Sequence, residues 1–320
     1  MPLFLTDKDV EQVMSIGDCI GVIENMFEQN LKGLTWSQPR SHIRTPVGYH
    51  HIMPGALFES GVVGLKVYTA RFPAGSRFLT ILHDSNTGDL LALVQGGRCS
   101  QLRTAALGAV AIKHMSRTNS TTVGIIGTGA QAQAQLEGVC KVRQITSITA
   151  FDLVPEKCSQ FCNEMSKLLN VSVTPATSGQ DCITGADIVI TMTTSPNPVI
   201  FGEWLEPGMH INVMGSNHWT RREVDDEVIN RSTSVVVDNI KESERYSGDL
   251  LGAIDKGLIR WEQIEELVSV VGGKSVGRSS EEAITLFKSH GMGITDVAAA
   301  AYVYEQAKKL GLGVELPINA

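Results

Sequence analysis

No stretch of this chain stays apolar for the roughly 18–20 residues that a membrane-spanning helix needs, so a transmembrane protein is not expected. The N-terminus reaches Asp7 too early for a secretory signal. None of the six cysteines, Cys19, Cys99, Cys140, Cys158, Cys162 and Cys182, forms a C-x-x-C pair, and only Cys158 and Cys162 are close, four apart. That excludes a dithiol redox motif and points to reduced, structural thiols in a cytoplasmic protein. No ligand cluster suggests a metal. A basic excess is also lacking: the net charge of −7 argues against nucleic acid or an anionic membrane as partner, because both reward a positive face.

The chain does have the length for two domains, at 320 residues. Thr6 and Asp9 resemble a capping box ahead of Val10, Val13 and Met14, and Asp18 opens a second helical stretch that ends near Gly33. Residues 34–95 hold short β-rich runs at 61–68, 78–82 and 90–94, separated by turn signals, and predict an antiparallel sheet. A helix is expected from Ser100 to about Met115. From Thr121 strands and helices alternate: strands at 123–126, 145–151, 171–174, 188–191, 210–213 and 234–237, helices at 131–142 and 155–169. Alternation of this kind predicts a parallel sheet covered on both faces. The alanine-rich segment from Val297 to Leu310 is expected to return to the first domain. The fold class is therefore α/β: a Rossmann-type doubly wound sheet over 118–294, plus an α+β domain formed by 1–117 with 295–320.

Gly127-Thr-Gly-Ala-Gln-Ala132 matches G-x-G-x-x-A directly after an apolar strand. Gly127 suits a tight turn, Gly129 lets the backbone approach a pyrophosphate, and Ala132 lets the new helix pack on the strand. Thr128, Ala130 and Gln131 complete the loop at a helix N-terminus, which favours phosphate. Asp152 ends the next strand, 25 residues after Gly127, where a carboxylate would hold the adenosine ribose hydroxyls and repel a 2′-phosphate. The cofactor expected is NAD (NADH), with NADP less favoured.

Basic residues concentrate in the first domain: Arg40, His42, Arg44, Lys66, Arg71, Arg77, Arg98 and Arg103. Lys66 interrupts the apolar run Gly64-Leu-Lys-Val-Tyr68, so either an anion meets a buried ammonium or the strand is an edge with the ammonium in water. Arg103 opens a helix with a fork suited to a carboxylate. Salt bridging at the surface accounts for Arg71, Arg77 and Arg98, and a structural strand or loop for His50 and His51. In the second domain Gly215, Asn217 and His218 follow the strand at 210–213 and are expected on the nicotinamide side.

Several stretches in order, Pro39-Arg40, Ile52-Met-Pro54, Gly64-Leu-Lys66, Leu102-Arg-Thr104, the glycine loop, Gly273-Lys-Ser-Val-Gly-Arg278, Ile284–Ser289 and Thr295-Asp296, resemble the ornithine cyclodeaminase/μ-crystallin family over nearly the whole chain. The resemblance implies that 1–117 with 295–320 is a substrate-binding and dimerisation domain whose sheet builds a homodimer, with Arg40, Lys66 and Arg103 as carboxylate-binding or catalytic positions, Lys66 as the acid/base, and Thr104 near the cofactor. In cyclodeaminases an aspartate stands where this chain has Asn217, and an amide cannot replace its charge. Three readings follow. The first is NADH-dependent reduction of a small imino acid to the L-amino acid, with iminosuccinate to aspartate as the specific case and His42, Arg44 or Arg71 meeting the second carboxylate. The second is a cyclodeaminase acting on ornithine or lysine with recycled NAD. The third is a crystallin-like protein that binds NAD(P)H without turnover.

Overall fold

Two reciprocal caps start the first helices. In a computed structural model, which describes residues 1–73 and 75–318, Thr6 and Ser15 each accept a hydrogen bond from the backbone three residues on. The carboxylates of Asp9 and Asp18 accept in return from the N–H of the cap residues. Strand β1 (Leu3–Leu5) is thus followed by helices α1 (Asp7–Val13) and α2 (Ile16–Leu31). The second helix begins ahead of Asp18 because Ser15 is its cap and Asp18 sits inside the first turn. Strands β2 (Thr35–Ser37), β3 (Ser41–Arg44), β4 (Tyr49–Leu57), β5 (Val62–Ala70), β6 (Phe78–Asp84) and β7 (Leu90–Gln95) lead into helix α3 (Gly96–Met115).

The alternation that follows is β8 (Thr122–Ile126), α4 (Ala132–Val142), β9 (Ser147–Phe151), α5 (Pro155–Leu169), β10 (Ser172–Pro175), α6 (Gly179–Ile183), β11 (Ile188–Thr191) and β12 (His210–Val213). It continues through α7 (Asp226–Arg231), β13 (Ser234–Val237), α8 (Ile240–Tyr246), α9 (Gly248–Asp255), β14 (Glu265–Glu266), α10 (Leu267–Val271) and β15 (Thr285–Lys288). The long helix α11 (Gly293–Leu310) and β16 (Val314–Glu315) close the chain's path. Among the described residues no helix is long and apolar enough to cross a membrane.

The chain forms two units. Unit 1 comprises Met1–Ala106 with Gly291–Ala320, and unit 2 comprises Leu107–His290, so the boundary falls inside α3.

In unit 1 the strands run in the order β16-β1-β7-β6-β5-β4-β2, with β3 also on β4. Pairing is antiparallel from β7 to β2, while β1 joins β7 in parallel. Pro54 sits inside β4 without breaking it. On that edge β3 pairs only as far as Ile52 and β2 only from Gly55, so the missing N–H falls in the gap between them. Helix α11 packs across β4, β5 and β6. Its first turn comes close because Gly55 and Gly293 lack side chains: a Cβ on Gly55 would lie 2.6 Å from Ile294 Cα, and one on Gly293 would lie 2.5 Å from Met53 O.

Unit 2 is an all-parallel sheet in the order β10-β9-β8-β11-β12-β15-β13-β14. Successive residues of one strand enter opposite cores, as a doubly wound sheet requires. Ile188 and Ile190 pack with Leu136, Phe161 and Met165 on one face, and Val189 packs with Ile211, Val228 and Leu250 on the other. Helix α5 ends cleanly: Pro155 fills its first turn and Asn170 takes the left-handed conformation at its end. Strand β15 and helices α6 to α10 were not expected from the sequence; each of these helices is eight residues or shorter, too short to show a sustained helical period.

Candidate active site

Strand β5 lies between β4 and β6, so Lys66 is interior and the alternative of an edge strand with its ammonium in water is overturned. The side chain is 2% exposed. An anion does meet it: Lys66 Nζ donates to Asp296 Oδ1 at 2.8 Å and to Ser100 Oγ at 2.6 Å. Asp296, in the first turn of α11, also accepts from Arg103 Nε at 3.0 Å. Burial holds the Lys66 ammonium down to a pKa of about 8, although the Asp296 carboxylate pulls the other way.

Arg40 precedes β3 and is as buried as Lys66. Its Nη1 donates to Tyr68 Oη at 3.0 Å and its Nη2 to the carbonyl of Gly291 at 3.1 Å. The same glycine seats Arg103, whose Nη1 would stand 2.7 Å from a Cβ at position 291. Unit 1 therefore gathers Arg40, Lys66 and Arg103 around Asp296, Ser100, Tyr68 and Gly291, with Thr104 beside Arg103 on α3. Two cations share one carboxylate at Asp296, and the cluster is net positive.

A ring row crosses four strands next to this cluster. His42, His51, Tyr68 and Phe78 are successive cross-strand partners. Their centroids are 5.7, 4.4 and 5.4 Å apart, and the last two pairs are stacked. His51 is thus part of the sheet. Arg71, at φ 63°, lays its guanidinium over the Tyr49 ring at 5.6 Å. Arg44 and Arg77 are exposed, and Arg98 holds Asp7 by its backbone N–H at 2.8 Å.

In unit 2 the loop from Gly127 to Gln131 leaves the carboxyl end of β8, beside β11, where the strand order reverses. Gly127 has φ 96°, and a Cβ there would lie 2.5 Å from Met192 O. Gly129 is exposed, and a Cβ on it would meet nothing within 4 Å. Gln131 caps α4 without a side-chain hydrogen bond, and its buried Oε1 has no partner among the described residues. Open backbone in front of an uncapped helix N-terminus is what a pyrophosphate requires, so these residues fit a dinucleotide.

Asp152 follows β9. Its Oδ2 accepts from Thr128 N and Oγ1, both at 2.9 Å, and its Oδ1 from Val154 N at 3.1 Å. Burial would raise this carboxyl, but those hydrogen bonds outweigh it and hold its pKa below the usual range. Asp152 therefore braces the glycine loop, a second task beside the ribose contact expected of it. Gly215 and Asn217 follow β12, and Asn217 is exposed. His218 stacks on Trp219 with centroids 4.1 Å apart and bonds Thr220 Oγ1 at 2.8 Å. All six cysteines are free. Burial raises the thiols of Cys99, Cys162 and Cys182 to about 12, which keeps them protonated.

Sequence reasoning missed Asp296 as the counter-ion, along with Ser100 and Tyr68. A signal existed for Asp296: an acidic residue stands immediately ahead of the apolar run Val297-Ala-Ala-Ala-Ala301, shortly after Gly291 and Gly293.

The profile of the ornithine cyclodeaminase/mu-crystallin family matches residues 1–311. The chain belongs to this family. Among solved members, a Δ1-pyrroline-2-carboxylate reductase from Thermococcus litoralis, in complex with NADH and L-proline, superposes with a TM-score of 0.94 at 33% identity, covering 98% of this chain and all of that one. An archaeal alanine dehydrogenase, a dimer with bound NAD, gives 0.93 at 30% identity, covering 99% of each chain. The iminosuccinate reductase of Paracoccus denitrificans, in complex with NAD+, gives 0.92 at 26% identity, again covering 99% of each.

Proposed function

We propose that this protein is an NADH-dependent oxidoreductase that reduces a small imino acid to the corresponding L-amino acid. The observation that carries the reading is the buried Lys66–Asp296–Arg103 cluster with Arg40 beside it. Three buried cations around a single carboxylate leave positive charge to be met by a bound anion, which suits a substrate carboxylate, and a lysine with a lowered pKa suits proton transfer.

Unit 2 holds the dinucleotide by the backbone of Gly127, Thr128, Gly129, Ala130 and Gln131, with Asp152 at the adenosine ribose and Gly215 as a further cofactor position; Thr104, which belongs to unit 1, is the remaining cofactor position we assign. When bound, NADH supplies the hydride that the imine carbon accepts. Arg40 and Arg103 bind the α-carboxylate and orient the imine. Lys66 holds a proton at the imine nitrogen, which makes the neighbouring carbon more electrophilic. Asp296 and Ser100 keep the ammonium protonated and aimed. Asn217 orients the substrate without adding charge, which disfavours a diamino acid that needs an anion for its distal amine.

Iminosuccinate, giving aspartate, is the specific substrate we favour. The ring row leads from Tyr68, which takes a hydrogen bond from Arg40, outward to His51 and His42, with Arg71 over Tyr49. A second carboxylate would find the Arg71 guanidinium there, with the imidazole of His42 beside it. The likeness to an archaeal enzyme solved as a dimer supports a homodimer. Six free thiols, five of them buried, fit a reducing compartment, and we place the enzyme in the cytoplasm.

The test is NADH oxidation with purified protein and ammonia, offering oxaloacetate, pyruvate and glyoxylate, with cyclic ketimines, ornithine and lysine alongside. Oxaloacetate with ammonia should give the highest kcat/KM and yield aspartate. Faster turnover of a cyclic ketimine would reassign the substrate, and ammonia release from ornithine without net NADH change would replace the reaction.

A further inference from the structure

Glu223 is fully buried in unit 2, after β12 and ahead of α7. Its Oε1 accepts from the backbone N–H of Thr193 at 2.7 Å and from Thr193 Oγ1 at 2.8 Å. Its Oε2 accepts from the N–H of Gly215 at 2.7 Å and of Ser216 at 3.1 Å. One carboxylate thus ties the segment after β11 to the segment after β12. The two segments touch: a Cβ on Gly215 would lie 2.3 Å from Thr193 N. The glycine loop rests on the same stack through Gly127 and Met192 O.

The clamp is itself fixed from behind. Asp249 Oδ1 accepts from the N–H of Glu223 and of Val224, at 2.5 and 3.2 Å. Lys288 Nζ lies 2.9 Å from Asp249 Oδ2 and donates to the carbonyl of Ser216 at 2.6 Å. Ser216 is therefore held at both its N–H and its C=O, and Asn217 is the next residue. Burying an anion and an ion pair is unfavourable unless donors and charges are matched this closely. The arrangement gives fixed positions to two segments at the carboxyl end of the sheet. In a doubly wound sheet a dinucleotide crosses the switch point there, with its adenosine half on the β9 side, at Asp152, and its nicotinamide half on the side of β11 and β12.

We propose that Glu223 is a positioning residue for the nicotinamide half of the cofactor, acting through Thr193, Gly215 and Ser216, with Asp249 and Lys288 as its supports. The proposal rests on the NADH reading above. Calorimetric titration of the full-length protein with NADH and with ADP-ribose, which lacks the nicotinamide, separates the two ideas. In Glu223→Gln the amide nitrogen would face N–H donors on one segment, so the Kd for NADH should rise about tenfold to a hundredfold while that for ADP-ribose changes by less than about threefold. Glu223→Asp, which keeps the charge, should recover part of the loss. If Glu223→Gln does not fold, Thr193→Val, which removes one hydroxyl donor, should show the same split at about threefold to tenfold. Equal weakening of both ligands, or of neither, in the folded variant overturns the clamp. Wild-type protein that binds neither ligand overturns the NADH reading itself.

Discussion

Unit 1 presents its chemistry on side chains, and unit 2 presents its own largely on backbone. In unit 1 Arg40, Lys66 and Arg103 are less than a tenth exposed and are positioned by partners far away in sequence; Lys66 and Asp296 are 230 residues apart. In unit 2 the groups we assign to the phosphates are N–H groups of Gly127 to Gln131, placed by a strand, a turn and a helix within a dozen residues. A side-chain site of this kind gains reactivity from burial, since the low surrounding polarity is what holds the Lys66 ammonium at about 8. A backbone site gains tolerance, because most side chains around it can vary as long as the glycines remain.

Substitutions on each side of this divide should therefore fail differently. Lys66→Ala should lower kcat for imine reduction by roughly 10²–10⁴-fold while the Kd for NADH, measured by calorimetry, stays within about twofold; near-normal turnover would remove the lysine from the chemistry. Next comes Asp296→Asn, which breaks a buried pair and should cost about 3–5 kcal/mol of stability in denaturant titration. It also has a pH signature. Reduction needs the protonated ammonium, so wild-type kcat/KM should fall as the pH rises through about 8. Asp296 raises the Lys66 pKa, so the variant's fall should come at lower pH; an unmoved profile would mean that Asp296 only packs. The smallest effect is expected in unit 2. Asp152→Ser should weaken NADH and improve NADPH by about tenfold each, the scale of one charge-assisted hydrogen bond. An unchanged ratio of the two Kd values would leave Asp152 only its role in bracing Thr128.

The same divide explains what could be read in advance. The parallel sheet was legible because its strands are short apolar runs between turn signals. The edges of β11 and β12, and all of α5, fell where the pattern put them. The glycine loop was legible because its geometry needs a particular residue at Gly127. Strand β4 was not. It contains two histidines, a proline and a glycine, and only its register against β2 and β3 shows how Pro54 is accommodated. Lys66 stood out because a charge inside an apolar run asks for a partner, and Arg40 and Arg103 because basic residues concentrate in the first domain and match the family's motifs. The return of helix α11 to the first domain was expected, but the identity of those partners was not: Asp296 and the carbonyl of Gly291 depend on where the helix begins against the sheet, and Tyr68 depends on the pairing of β3, β4 and β5. Glu223 was hidden for the same reason: its donors lie on two other segments.

The sequence separation of Lys66 and Asp296 also bears on how the protein is made. At about 5–20 residues per second, a ribosome adds the aspartate roughly 10–50 s after the lysine. Throughout that interval the nascent first sheet holds a strand whose ammonium has no anion and whose covering helix has not been synthesised. The whole nucleotide unit emerges meanwhile and can fold on its own core. The N-terminal unit is thus begun first and finished last, and helix α11 is the piece that closes it.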